Sequence, residues 1–288
     1  MSYLIFTDFK KTIQSDNLMQ IIGNDLSMLN DISLTAQAEA NTYLVQQYLT
    51  SQEFSNTNVY NPAAPYKPGD RIYLDASPYN GINLYAVNDL VLVAGIVYIC
   101  TTAISTAQSF KPENWASLGV QYTMFYASYP AKKFDLSEIY KYGDRVYCNG
   151  TTYSCIQPTV TFSHESQLQS NSQQQIQNYF PTDSQYWSAV TIESVAAGVP
   201  PTDTTKWTLG DNRSPLLVMH CCDIALYHLH SRIAPRNIPD LRIKRYDDSK
   251  NWLIMAGRGE ITVDLPVIQP IQGGRIRYST QTKQINNY

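Results

Sequence analysis

A chain of 288 residues has room for two or three domains with real cores, and its 43% hydrophobic content is ordinary for a soluble protein. A net charge of −3 and a pI of 5.8 argue against gripping nucleic acid, which needs clustered Lys and Arg, though not against a passive conduit for DNA. Five cysteines, an odd number in no framework spacing, point to a reducing compartment and not to a disulfide scaffold.

The opening MSYLIFTDFKK lacks the basic start and long apolar core of a signal peptide. The longest apolar run, Leu90 to Cys100, is too short to span a bilayer and is broken by Gly95. A soluble protein made in the cytoplasm, with no membrane contact, is expected. Charged residues make up only 16%, whereas tyrosines number 22. Uncharged polar surface rich in tyrosine suits packing against other proteins, although AT-biased codon usage gives the same composition.

Residues 1–23 read as short helical pieces, with Ser15 as N-cap and Gly23 as stop. From Ser33 to about Thr50 the pattern is helical, with Ala36, Ala40, Tyr43, Leu44, Gln47 and Tyr48 on one face. Residues 55–65 form a polar, proline-bearing linker. From there to about Asn212 come short β-type runs, glycine turns and tryptophans.

This middle region repeats itself. Tyr140-Lys141-Tyr142-Gly143-Asp144-Arg145-Val146-Tyr147 echoes Tyr66-Lys67-Pro68-Gly69-Asp70-Arg71-Ile72-Tyr73. Asn88-Asp89-Leu90-Val91, with Tyr98 and Cys100 after it, matches Gly143-Asp144-Arg145-Val146, with Tyr153 and Cys155 after it. Each copy closes on a proline and a tryptophan, at Trp115 and Trp187, and a partial third copy ends at Trp207. The physical unit is a strand, a glycine turn, a second strand and a returning segment that docks a Trp. Modules with so little core need one large aromatic each. The Gln/Ser/Asn-rich tract 166–178 reads as a mobile loop inside the second copy.

Ser214 to Gly257 reads as two helices. Ser214 before Pro215 is an N-cap followed by proline at the first helical position, and Gly257 stands where a glycine would end the second helix. The first is apolar almost all round, so it is buried on more than one side. Its exception is a stripe of His220, Asp223, Tyr227 and His230. The second shows Tyr246, Ser249, Trp252, Leu253 and Ala256 on one face. A strand over 260–265 and an extended arm over 258–288 follow.

Chemistry is sparse. His220-Cys221-Cys222-Asp223, with His228 and His230, invites a metal, but adjacent helical residues point 100° apart and His220 and His230 lie about 15 Å apart along the axis. Zinc needs its ligands within about 2.0–2.3 Å of one centre. A buried helix with one hydrogen-bonded stripe is the favoured reading. Cys148 and Cys155 fit a small core pair. Gly257-Arg258-Gly259 lacks the third glycine and the strand–helix setting of a dinucleotide site, and no nucleophile, Walker or paired-carboxylate motif occurs. No catalytic residue, metal or cofactor is expected. Tyr98, Trp115, Tyr153, Trp187 and Trp207 would stack on sugar rings if exposed; as core, which is favoured, they would hold the modules together.

Asp25 to Tyr48 and Ser214 to Pro266 together resemble the head–tail connector (adaptor) family of Mu-like tailed phages. The matching features are Tyr43-Leu44 with Gln47-Tyr48, Cys222-Asp223-Ile224-Ala225-Leu226-Tyr227, Arg245-Tyr246-Asp247, Trp252-Leu253, and Gly257 through Leu265-Pro266. The intervening insert departs from that family. It is similar to the small β modules of chitinases and phage tail proteins, with a Gly-Asp-x-Val…Gly-x-x-Tyr…Trp pattern, and the whole resembles ring proteins of crAss-like short-tailed phages.

The resemblance implies a helical bundle that assembles into a ring, usually twelve-fold, between the portal and the tail, with DNA passing through. The expected fold class is therefore α+β and multidomain. A discontinuous α-helical bundle (1–54 and 213–257) carries inserted β modules (55–120, and 121–212 with the partial third repeat) and an extended C-terminal arm (258–288). The expected partners are copies of itself, the portal and other ring or tail proteins, in a virion. Ile261, Val263, Leu265, Ile268, Arg275 and Tyr278 of the arm are the candidate partner-binding residues. A carbohydrate-binding adhesin is the alternative, and a glycan-cleaving enzyme a weaker one, since no carboxylate pair is evident.

Overall fold

In the computed structural model, residues 2–48, 50–129, 131–135, 138–148, 151–157, 181, 184–190, 195–233 and 238–265 are described. Two short helices, α1 (Phe6–Phe9) and α2 (Ser15–Ile21), precede α3 (Leu26–Leu44). Helix α3 begins before the alanine-rich pattern because the Asp25 side chain caps it, accepting from the Ser27 N–H at 2.9 Å. It buries Leu29, Ile32, Ser33, Ala36, Ala40 and Leu44, which recur every three or four residues and so share a face. Helices α4 (Pro215–Ile233) and α5 (Asp240–Gly257) pack against it and against each other.

The strands are β1 (Thr57–Val59), β2 (Arg71–Tyr73), β3 (Leu90–Val93), β4 (Ile96–Cys100), β5 (Trp115–Val120) and β6 (Met124–Ala127), then β7 (Lys132–Lys133), β8 (Arg145–Cys148), β9 (Thr151–Cys155), β10 (Trp187–Val190) and β11 (Trp207–Leu209). They form three sheets, ordered β1-β2-β6-β11, β3-β4-β5 and β10-β9-β8-β7. The first order is informative. Strand β6 pairs with β2 across the whole of β3–β5, and β11 pairs with β6 across the whole of β7–β10. One β module is thus threaded twice, and each opening admits another module. The partial third repeat at Trp207 and the first repeat at Tyr66 are two pieces of that one module.

The structure corrects the expected fold class: this is not a helical bundle. Among the described residues, three sheets stand beside five α-helices, and the helices alone do not enclose their core. The physical reason lies in α4. Its apolar surface at Leu217, Cys221, Ile224 and Leu229 shares one buried cluster with α3 and with non-helical chain: Tyr3, Leu4, Tyr48, Phe54, Val263 and Leu265. Irregular segments supply walls that a bundle would build from further helices. Helix α5 buries only Ser249, Leu253 and Ala256 and leaves its other faces exposed. The strand expected over 260–265 does not form; those residues are irregular chain. The tract 166–178 lies outside the described residues.

Gly257 is the last residue of α5 and not a left-handed cap. A methyl group there would run into the Tyr43 carbonyl at the end of α3, so the glycine permits a close helix–helix approach. Gly257→Ala should therefore lower stability by about 1–3 kcal/mol, the usual range for overpacking. Urea denaturation monitored by far-UV circular dichroism checks this; an unchanged midpoint would remove the packing role.

Candidate interaction site

Three modules are built from one local plan. Each opens with an aromatic followed by Asn or Asp: Tyr60-Asn61, Tyr79-Asn80 and Phe134-Asp135. Five residues after the Asn or Asp comes a tyrosine, Tyr66, Tyr85 or Tyr140. Its hydroxyl accepts from the backbone N–H of that residue (2.7, 2.9 and 2.7 Å) and donates to its carbonyl (3.0, 3.1 and 3.0 Å). A tight turn follows, in which Asp70, Asp89 or Asp144 accepts at 2.7 Å from the backbone N–H three residues earlier. Its third residue, Gly69, Asn88 or Gly143, sits at φ between 77° and 87°, which only glycine or asparagine adopts readily.

A tryptophan then stands edge-on to both aromatics. Trp207 meets Tyr66 at 5.1 Å, Trp115 meets Tyr85 at 5.3 Å and Trp187 meets Tyr140 at 5.2 Å between ring centroids. We number these modules 1 (Tyr60, Tyr66, Trp207), 2 (Tyr79, Tyr85, Trp115) and 3 (Phe134, Tyr140, Trp187).

Tyr98, Trp115, Tyr153, Trp187 and Trp207, the five aromatics of the sugar-stacking alternative, pack within the modules. Trp115, Trp187 and Trp207 are buried, with their rings packed on module aromatics. Tyr98 and Tyr153 are half-buried; Tyr98 lies edge-on to Phe110 at 5.1 Å and Tyr153 packs on the module 3 core. The five do not share a face that a glycan could follow: they sit in three separate cores.

The partner-binding set is divided as well. Val263 and Leu265 are buried in the helical core and Ile261 packs on its edge. The Tyr48 hydroxyl donates to the Ile261 carbonyl at 3.3 Å and accepts from the Val263 N–H at 3.4 Å. These three therefore hold the chain's own core, and do not begin a free arm. Ile268, Arg275 and Tyr278 lie outside the described residues.

The polar stripe of α4 is its seam with α5 and α3. His220 Nδ1 is 3.0 Å from Ser249 Oγ, and the ring stacks on Trp252 at 4.4 Å. Asp223 faces Arg245 at 3.5 Å and Arg242 at 3.8 Å. Tyr227 stacks on Tyr246 at 4.1 Å. Glu39 of α3 meets His228 Nε2 at 2.7 Å and accepts from the Tyr246 hydroxyl at 2.8 Å. His230 Nδ1 lies 2.7 Å from the Leu226 carbonyl. Each candidate ligand faces a different partner, and among the described residues no three His, Cys, Asp or Glu side chains converge.

Sequence reasoning missed two features. The first is a buried junction where the chain passes twice between helices and sheets. Arg213, wholly buried, takes Asp8 in a two-point pair (2.8 and 3.0 Å) and Asp211 at 2.7 and 2.9 Å, and donates to the Tyr3 carbonyl at 2.6 Å. Arg71 reaches the Glu53 carbonyl at 2.7 Å and its carboxylate at 3.6 Å. That carboxylate also accepts from the Tyr3 hydroxyl (2.6 Å) and from the Ser214 N–H (2.7 Å), next to the first turn of α4. Burial works against the charged forms, but the hydrogen bonds and opposite charges outweigh it: Arg213 is held protonated and Asp211 is held below the usual carboxylate range. The available signal was charge itself, scarce in this chain yet present at Asp8, Glu53, Arg71 and Arg213.

The second is the turn face of the modules. In module 1 it is occupied: Tyr147, from module 3, donates its hydroxyl to the Pro68 carbonyl, and Tyr129 lies beside it against Gly69. In module 2 exposed Val87 lies in the equivalent turn, with exposed Ile82 and Leu84 just before it in the chain; in module 3 exposed Tyr142 lies in the turn, with exposed Ile139 just before it. Large apolar side chains exposed in and beside a turn are the mark of a contact surface. Compared with known protein families and with characterised proteins, the chain matches none.

Burial pushes the His220 imidazole down to about 4. The unfolded chain, with a histidine near its ordinary value of about 6.5, then binds the extra proton between those limits. Stability should thus fall as pH drops from about 6.5 to 4, and denaturant midpoints for His220→Asn should show a flatter slope across that window. An identical slope would contradict a neutral buried His220. Asp8→Asn leaves Arg213 short of one carboxylate and should cost about 3 kcal/mol by the same assay, because a buried charge is left undercompensated.

Proposed function

We propose that this chain is a structural virion protein: a connector subunit that joins with copies of itself between the portal and the tail of a tailed bacteriophage, around the DNA channel. The observation that carries the reading is apolar surface left uncovered on every long helix and on the inserted modules. Leu26 and Leu34 on α3, Leu216 and Met219 on α4, and Leu241, Ile243 and Met255 on α5 are all exposed, as are Ile82, Leu84 and Tyr142 on the modules. Apolar side chains spread over several sides of one subunit suit lateral packing between copies, where unlike patches meet and the arrangement closes into a ring.

Three further points support it. The residues that resemble adaptor proteins lie in and beside α3, α4 and α5. A net charge of −3 lets DNA pass without holding its phosphates. Burial of Trp115, Trp187 and Trp207 weighs against the adhesin reading, which needs their faces free. Portal and neighbouring ring or tail proteins are the partners in this reading, and the virion is the place of action.

The reading is tested by sedimentation of the chain with and without portal. A discrete, closed multimer is expected, and a persistent monomer in both conditions would overturn it. A truncation must spare Val263 and Leu265, which belong to the core. Removing residues 266–288 should leave circular dichroism and melting unchanged while abolishing joining to portal-bearing particles; normal joining would remove the tail from the partner interface.

A further inference from the structure

Module 1 shows how the turn face of this repeat is used. Its Lys67-Pro68-Gly69-Asp70 turn is capped by Tyr147, which donates to the Pro68 carbonyl, and by Tyr129. The equivalent turns are Ala86-Val87-Asn88-Asp89 in module 2 and Lys141-Tyr142-Gly143-Asp144 in module 3, defined by the same aspartate-to-backbone bonds. Neither is covered. Val87 is exposed, and a side chain placed on Gly143 would meet open space, whereas on Gly69 it would strike both capping tyrosines.

The two uncovered faces are complementary in kind. Module 2 offers exposed Val87 in the turn itself, and exposed Ile82 (77%) and Leu84 three to five residues earlier in the chain. Module 3 offers Tyr142, 75% exposed, flanked by exposed Lys141 and Arg145. The charges also match. From Ile72 to Phe110 the sequence holds no cationic side chain, Lys111 being the first in module 2, while Asp89 borders its turn. Tyrosine combines a flat apolar body with a hydroxyl at low entropic cost, as the internal Tyr147 contact uses it.

We propose that Tyr142 of one copy caps the module 2 turn of a second copy, laying its ring on Ile82 and Leu84 and donating to the Val87 carbonyl. This inference rests on the self-assembling connector reading and names its lateral contact. Among the described residues both faces are exposed, and the proposed contact is between separate copies. It is heterologous: module 3 of one subunit meets module 2 of the next, and the series closes as a ring or runs on as a filament. Lys141 and Arg145 lie toward Asp89 and make the contact weaken with salt.

Single-cysteine variants of the full chain test it, since the five native cysteines are buried. Tyr142→Cys and Leu84→Cys copies are mixed and oxidised. A disulfide-linked dimer should form in the mixture and not in either variant alone. Sedimentation should show self-association weakened at least tenfold by Tyr142→Ala, about fivefold by Tyr142→Phe, which loses only the hydroxyl, and strongly by Leu84→Asp. If the unaltered chain assembles but the mixture gives no cross-link and Tyr142→Ala assembles normally, the inference fails while the connector reading stands. The same holds if Tyr142→Cys links to portal in place of Leu84→Cys. If the unaltered chain stays monomeric alone and with portal, both fail.

Discussion

A guanidinium with no access to water holds this molecule's two halves in register. Arg213 stands at the point where the chain leaves the sheets for α4, and its carboxylate partners come from the first helix and from the residue two positions before it. Isolated in a low-dielectric interior, such a charge would be prohibitive; paired on two sides and bonded to a carbonyl, it is held in place. Arg71 and Glu53 do the corresponding work where the chain first crosses into the sheets, and Tyr3 packs against both guanidiniums, 5.4 and 5.8 Å from its ring centre. Two crossings fixed by one buried network give the inserted modules a defined orientation on the helices. A flexible linker would not.

From that junction the β region is a nesting problem. Module 1 is closed by Trp207, but before the chain reaches that residue it has made two complete modules inside module 1. Such an order is tolerable because each module has its own aromatic trio and its own turn, so the inserted ones fold on local contacts. Module 1 cannot: its sheet needs β2, β6 and β11, which are far apart in the chain. High sequence separation carries a loop-closure cost, and Arg71, on β2, with Asn212, just past β11, shares in meeting it through a side-chain bond at 2.5 Å.

Much of this was legible in the residues. Two helices after Ser214, their polar seam and the repeated turn all follow from period and turn chemistry, because a Gly or Asn at positive φ next to Asp is a strong local signal. The start of α3 was missed because Leu26 to Asp31 lacks the alanine pattern, though Asp25 and Ser27 form a recognisable cap. The bundle was an over-reading: a helix apolar all round demands cover, but sequence cannot say whether helices or irregular chain provide it. Trp207 was read as the end of a third copy because strand pairing over such a distance leaves no local trace. Val263 and Leu265 looked like the start of an arm, since a short apolar run docking on a core is indistinguishable from one docking on a partner. The junction left only the scarce charges as a signal: a lone Asp, Glu or Arg is usually solvated, and only the fold shows that these four are buried together.

The same physical logic links the tyrosines to assembly. A chain poor in charge and rich in tyrosine has few means of keeping its exposed turns apart from other copies, and within one chain such a turn is already covered by a tyrosine. The central claim is that copies of this subunit stand side by side at the head–tail junction with their modules touching. Electron cryomicroscopy of the assembled particle tests it most directly. The account predicts a closed ring of this subunit beneath the portal, with module 3 of each copy against module 2 of its neighbour. Density showing isolated copies, or none at that junction, would contradict it.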